Sequence, residues 1–570
     1  MPLAPAAHRP LPPPPPNSKV SQQYDRNRIE VLRLLLSASS EPLFSCPSLP
    51  SSGESSSPPS SSSSSSPDPE GSRWLAVTCG ADAPNAVPLF YSLLNVVLGY
   101  DNIGYGVPYS SAFSGGVRRE LMGLSLQLLV VLLDYGRACP PAAGKKDRGG
   151  NPAVDTRAEG KVPGFNVFRA ALAAMREERD FAFCFKGFSS LLNNTHQAVN
   201  TYLPSSIMRL ACYEEVLVLL WKFLEENPLF LNYVLTSCDP NELVVPLCFL
   251  MFEARDDDSK SGLVHICCFI LLKLSGERSF GIKLNKPFVA YLPIELPLFK
   301  GTHADLLVIT FHKLIAEGSP ALATLHSCLL TTVCNISPYW KSISLVAAVK
   351  LVGLFELYSG ARRLLGPSSD LSRGNLALLL EIFNNAVQYQ YGGNQQLVYV
   401  MIRRKQAFRK LIELTKEQTL EAVARIIGGA TTAADAQSPI QQQQPQQQQL
   451  AGGPQIDARW VAGLKAQLPL DTVNRLLSSV VPLIDDLCKS KDGVIEEAEL
   501  LAFLKDLTLV GLLPVPHPIV IRKYQTNALT SSWFTTYLWG IIYLRNQKLP
   551  IFDGDSIKLF AVSLSKSSAA

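Results

Sequence analysis

A chain of 570 residues, 47% hydrophobic and 18% charged, carries enough apolar material for several domains or one long helical array, which excludes disorder throughout. Its formal net charge of +4 is too small over that length for bulk nucleic-acid binding, so an electrostatic partner must be met by a local patch. The longest apolar runs, Leu128–Leu133, Leu263–Leu272 and Trp533–Leu544, fall short of the ~18–20 residues that a membrane-spanning helix needs. A soluble or peripherally attached protein is expected.

In chain order, residues 1–23 form a Pro-rich tail without the basic and apolar regions of a secretory signal. Residues 24–37 predict an N-terminal helix. Ile29, Leu32, Leu35 and Leu36 recur there at helical spacing, with Arg26, Arg28 and Arg33 between them. Residues 38–73 are a Ser/Pro-rich insertion with almost nothing to bury, and disorder is expected. A central helical block follows at 74–428, with a loop near 139–162 rich in Pro, Gly and mixed charge. Its helical patterns lie at 116–135, 166–192, 209–226, 262–274, 303–316, 320–334, 344–358, 374–390 and 397–414. Pro228, Pro240, Pro287 and Pro338 punctuate them. A Gln-rich linker occupies 429–456, a C-terminal helical block 457–562, and a tail 563–570. The β-branched stretch Val515–Ile521 contains Pro516 and Pro518, which argue against a central strand. Helices of this length joined by short loops predict an all-α fold. With no clean repeat period, it is an irregular, α-solenoid-like array.

Reactive constellations fail on geometry. Gly276, Gly281 and Lys283 suggest a phosphate loop, but one extra residue precedes the lysine and Leu284 stands where Ser or Thr is needed. Asp492, Gly493 and Glu499 mimic the end of a calcium loop whose first position would be Cys488, not a carboxylate. His303 and His312 are nine residues apart, not the i, i+4 pair that holds zinc. His265 and the Cys267–Cys268 pair sit among apolar residues, as core side chains do. None of the 12 cysteines forms a C-x-x-C motif, and most lie in apolar stretches, as free thiols do in a reducing compartment. No catalytic, cofactor-binding or metal-ligating residue is expected, and no cofactor, nucleic acid or small-molecule substrate.

Three features carry more information. In the helix predicted over 397–414, Leu397, Met401, Phe408 and Ile412 lie near one face. Arg403, Arg404, Lys405, Arg409 and Lys410 place five positive charges within eight residues with no acid among them. Such a helix suits an anionic membrane surface or an acidic partner. The alternative is a core-packed helix with a solvated basic face. Asn384, Asn385, Gln388 and Asn394 form an amide cluster able to hold an extended peptide backbone, or to cap a helix end near Gly392–Gly393. The aromatic run Trp533, Phe534, Tyr537, Trp539 and Tyr543 is apolar around most of a helix, which favours burial over a membrane-interface belt.

Several long segments resemble the Hid family, the high-temperature-induced dauer-formation proteins related to dymeclin. They include LFYSLLNVVLGYDNIGYGVPYS (89–110), LSGERSFGIKLNKP (274–287), GTHADLL (301–307) and NISPYWKSIS (335–344). EIFNNAVQYQYGGNQQLVYVMIRRKQAF (381–408), TLVGLLPVPHPIVIRKYQTN (508–527) and SSWFTTYLWGIIYLRN (531–546) follow in the family's order. The resemblance implies a helical protein without enzymatic activity. It implies attachment to the cytosolic face of the Golgi and trans-Golgi network, exchange with a cytoplasmic pool, and partners among trafficking proteins. It also implies a further helical region at the N-terminus, often beginning Met-Gly for N-myristoylation. Here Pro2 follows Met1, so the expectation is a chain without that region or that lipid motif.

Overall fold

The computed structural model describes residues 19–44, 72–100, 110–136, 165–200, 209–364, 369–416, 468–490, 496–507, 511 and 513–546. The tail before Lys19, the insertion between 45 and 71, the loop at 139–162, the linker at 429–456 and the tail at 563–570 lie outside them. The helices are α1 (Lys19–Ala38), α2 (Arg73–Cys79), α3 (Ala86–Leu98), α4 (Ser110–Asp134), α5 (Val167–Ala174), α6 (Glu178–Gln197) and α7 (Tyr213–Glu226). Next come α8 (Pro228–Thr236), α9 (Asn241–Ala254), α10 (Ser261–Ser275), α11 (Arg278–Lys283), α12 (His303–Glu317), α13 (His326–Ile336) and α14 (Leu345–Ser359). The last are α15 (Ala361–Leu364), α16 (Ser369–Gln390), α17 (Gln395–Arg403), α18 (Lys405–Lys416), α19 (Asp471–Ser490), α20 (Glu497–Asp506) and α21 (Ala528–Asn546). Among the described residues no strand forms, and Pro287 and Thr302 make an isolated antiparallel bridge. The fold is all-α.

The chain divides into two compact units. One comprises Met1–Cys238 with Gln525–Ala570, the other Asp239–Tyr524. These boundaries fall inside the blocks read from the sequence at 74–428 and 457–562.

In the first unit α1 lays Ile29, Leu32 and Leu36 against α4, and Arg33 pairs with Glu120. Phe188, Phe223 and Phe230 bring α6, α7 and α8 together through edge-on ring contacts of 5.2–5.3 Å at Phe223. A β-carbon at Gly187 would lie 2.6 Å from Leu98 Cβ and 2.7 Å from its carbonyl oxygen, so glycine permits the close approach of α3 and α6. Asn166 and Asn227 serve as paired fasteners. Each accepts from backbone N–H groups at the start of its own helix. Asn166 also donates to the carbonyls of Leu132 and Tyr135, and Asn227 to those of Leu172 and Met175.

The aromatic helix α21 belongs to this core. Phe534 stacks on Trp221 at 5.0 Å, and Leu538, Trp539, Ile541 and Ile542 are buried. Its polar side chains enter a network on α4 and α7. Arg545 donates to Glu215 at 2.9 Å and to Glu214 at 3.2 Å, Thr535 donates to Asp134, and Asn546 donates to Gln127. Glu215 is completely buried. Burial pushes its carboxyl up, and the Arg545 guanidinium opposes that rise.

The second unit stacks helical pairs. One row runs α9, α12, α14 and α17; the other runs α10, α13 and α16. Cross-contacts of α9 with α10, α12 with α13 and α14 with α16 close each layer. This is the helical array the sequence predicts. Its rows are indexed by caps. Thr302 and Asp305 form a capping box that opens α12, and the other Asp305 oxygen accepts from Ser344 N–H at the start of α14. Three sequence-predicted helices are interrupted. The 166–192 helix breaks at Met175–Glu177, the 320–334 helix opens as a 3₁₀ turn at Pro320–Leu325, and the 397–414 helix breaks at Arg404.

Candidate functional site

The basic segment is two short helices. In α17, Leu397, Val398, Val400, Met401 and Ile402 are buried, and Arg404 closes the helix by donating its N–H to Val400 O at 2.9 Å. In α18, Phe408, Leu411 and Ile412 are buried. Phe408 stacks on Phe355 of α14 with ring centroids 4.1 Å apart and meets Phe383 of α16 edge-on. The break lets each short helix seat its own apolar side. The apolar positions Leu397, Met401, Phe408 and Ile412 are therefore all in the core.

The cations occupy the outer side unequally. Arg403, Arg404, Arg409 and Lys410 are exposed, and Lys405 is half-buried. Lys405 lies 3.7 Å from Asp485 of α19, and Arg404 lies 3.5 Å from Glu356 of α14. Arg403, Arg409 and Lys410 form no ion pair among the described residues. The patch is thus a core of three free cations with two partly neutralised neighbours.

The amide side chains bond to remote segments of the chain itself. Asn384 donates to Pro469 O at 2.8 Å and Gln388 to Thr472 Oγ1 at 2.9 Å, which together fix the start of α19. Asn385 donates to Ser337 Oγ at 3.0 Å, and Asn394 donates to Trp340 O at 3.0 Å. Gln390, nearby, donates to Pro338 O. Asn384, Asn385 and Asn394 are buried. Asn384 and Asn385 of α16, with Asn394 just beyond its end, hold Pro469 and the 3₁₀ turn Ser337–Tyr339 with the Trp340 that follows it. The sequence could not show this, because the bound segments are remote from the amides in the chain.

The family model described as "Dymeclin: Dyggve-Melchior-Clausen syndrome protein" matches residues 14–541. Protein HID1 of Homo sapiens is 36% identical over 95% of this chain and 74% of its own length. The chain belongs to the Hid family of dymeclin-related proteins. Protein HID1 of Dictyostelium discoideum is 26% identical over 95% of this chain and 69% of its own length. The Ubp5-interacting protein ftp105 of Schizosaccharomyces pombe is 26% identical over 71% of this chain and 42% of its own length. No solved structure matches the chain.

For this Hid-family chain the chemistry elsewhere is that of a packed core. Among the described residues no group of His, Cys, Asp and Glu could hold a metal ion. His265 Nδ1 lies 2.8 Å from Ser261 O and His303 Nδ1 2.8 Å from Lys286 O. Burial pulls both imidazoles below their ordinary range, and His312 down to about 4. The thiols of Cys79, Cys212 and Cys248 are buried and pushed up to about 12 by that burial. Cys328 differs. The neighbouring Cys268 thiol of α10 holds Cys328 below the ordinary thiol range, while Cys268 itself is raised beside it and by burial. Sequence reasoning singled out Cys267–Cys268 and missed this pairing, because Cys328 lies on another helix. Asp492 and Gly493 lie outside the described residues. Among the described residues no single helix is long and apolar enough to cross a membrane.

Proposed function

We propose that this protein is a non-enzymatic scaffold or adaptor attached to the cytosolic face of the Golgi and trans-Golgi network, acting in secretory trafficking and vesicle cargo sorting. The observation that carries the membrane part is the free, exposed set Arg403, Arg409 and Lys410 on helices whose apolar sides are already seated. Those charges face outward with no acid paired to them among the described residues, as attraction to an anionic lipid surface requires. Membership of the Hid family and the stacked helical pairs support a role in holding partners.

Flotation of the purified chain with vesicles tests this. Vesicles containing phosphatidylserine should carry the protein upward, and neutral phosphatidylcholine vesicles should not. The Arg403→Glu/Arg409→Glu/Lys410→Glu variant should stay at the bottom and lose its Golgi location in cells. Undiminished flotation and Golgi location of that folded variant would sink the proposal. A second reading is a cytosolic helical-repeat adaptor recruited only through a protein partner. The relative ftp105, named for interaction with Ubp5, favours it. Flotation that requires added Golgi extract would select this reading.

A further inference from the structure

Helix α1 of the first unit is apolar on two sides. Ile29, Leu32 and Leu36 are buried on the side that packs against α4. Tyr24, Val31 and Leu34 lie on the other side and are 64%, 56% and 69% exposed. With exposed Asn27 and half-buried Ala38 they form a single row, Tyr24, Asn27, Val31, Leu34 and Ala38, in alternating steps of three and four residues. That alternation is the 3.5-residue repeat of a coiled-coil seam, and Ile29 and Leu36 fall directly opposite it. Such a seam accepts another helix. Because α1 is already folded on α4, the incoming helix meets a preformed face, and no nucleation cost remains on this side.

Asn27 selects the occupant. A carboxamide in the middle of a seam is costly unless the facing helix brings a polar side chain to the same level. Its oxygen accepts from Gln23 one turn earlier at 3.2 Å, and its N–H groups are the donors it offers across the seam. A second copy of α1, parallel and in register, sets Asn27 against Asn27. Each residue flanking the seam then meets the one five positions further along in the other copy. Gln23 meets Arg28, Glu30 meets Leu35, and no like charges meet. An antiparallel copy fits poorly. Matching Tyr24 to Leu34 sets Asn27 against Val31, Arg28 against Arg28 and Glu30 against Glu30. The Arg28 and Glu30 side chains are 64% and 69% exposed, so both repulsions would be met at the seam's flanks.

We propose that the Tyr24–Ala38 row of α1 is a homodimer seam, on which a second copy of this chain lays its own α1 in parallel register. Each α1 keeps its buried side on its own α4. This inference does not rest on the membrane reading.

Sedimentation velocity of the whole chain between about 1 and 100 µM tests it. Association to a dimer is expected, with a dissociation constant on the order of 10 µM for so short a seam. Val31→Glu/Leu34→Glu should raise that constant at least about a hundredfold, because two apolar side chains of each copy leave the seam. Both side chains are exposed in the single chain, so at about 1 µM the variant and the native chain should unfold at the same temperature. Gln23→Glu, which faces Arg28, should tighten the dimer about twofold to tenfold, and Gln23→Lys should weaken it by as much. A chain still monomeric at about 100 µM would give the seam to a helix of another protein and overturn the assignment to a second copy. A dimer that Val31→Glu/Leu34→Glu leaves intact would overturn the seam. Equal dimers from Gln23→Glu and Gln23→Lys would overturn the parallel register.

Discussion

Replacing Arg545 with methionine tests the buried network that fastens α21 to α4 and α7. Glu215 is completely buried, and Arg545 faces it at 2.9 and 3.3 Å. Methionine keeps the apolar stem and removes the charge, which leaves the carboxylate with Gln127 at 3.2 Å as its remaining side-chain donor. Removing one partner of a buried pair costs about 3–5 kcal/mol at neutral pH. Burial holds the Glu215 carboxyl above the ordinary carboxyl value of 4.5, so folding favours the protonated form. The stability from that preference is full below about 4.5 and is lost as pH rises through the folded value. Without Arg545 the folded value climbs further, so the loss grows toward neutral pH. Thermal unfolding followed from pH 4 to 8, with hydrogen exchange of α21, should show a gap between Arg545→Met and the native chain. That gap should shrink to about 1 kcal/mol near pH 4, where the protonated carboxyl needs no cation. Adding Glu215→Gln should recover at least half of the neutral-pH loss. A loss below about 1 kcal/mol at neutral pH, or one independent of pH, would refute the assignment of Arg545 as the counter-charge.

Phe408→Ala removes a fully buried ring stacked on Phe355, and should cost about 3–5 kcal/mol. Amide exchange in α18 should rise strongly while α9 and α10 keep their protection. Iodoacetamide labelling of Cys328, read by mass spectrometry against pH, should have its midpoint below that of an ordinary thiol. Cys268→Ala removes the neighbouring thiol and should move that midpoint upward. Cys248, fully buried and pushed up to about 12, should stay unlabelled in the folded protein.

What the sequence reveals and what it hides follow one rule. Signals that live within a helix turn are legible. Ile29, Leu32 and Leu36 mark the buried side of α1, and the aromatic and apolar run of α21 marks the burial of Phe534, Leu538, Trp539, Ile541 and Ile542. Features that depend on a remote partner are hidden. Nothing in the run from Leu397 to Leu414 shows that Phe355 will demand the ring of Phe408, and that contact accompanies the break at Arg404. The amides of α16 read as a peptide site because their chemistry is right. Only the fold reveals that two of these amides donate to the carbonyls of Pro469 and Trp340. Pro516 and Pro518 correctly exclude a central strand. Asn335 then shows how a lone extended segment is held without a neighbouring strand, through both backbone groups of Arg522.

The basic patch can be divided by the same reasoning. Lys405 is half-buried and faces Asp485, whereas Arg403, Arg409 and Lys410 are exposed without ion pairs among the described residues. Each basic residue near an anionic surface contributes about 1 kcal/mol, so reversing the three free cations should lower vesicle affinity at least a hundredfold. Lys405→Glu would instead set a carboxylate beside Asp485. It should loosen α18 from α19 and speed amide exchange in both, while vesicle affinity falls less than about fivefold. Salt should discriminate further, because the free cations lie open to a screening length of about 8–10 Å. Raising ionic strength should erase the difference between the native chain and the triple variant. It should leave the faster exchange of Lys405→Glu largely in place, since that variant acts through the packing of α18. If Lys405→Glu abolishes vesicle binding while the triple variant retains it, the lipid-facing surface is not the one formed by Arg403, Arg409 and Lys410.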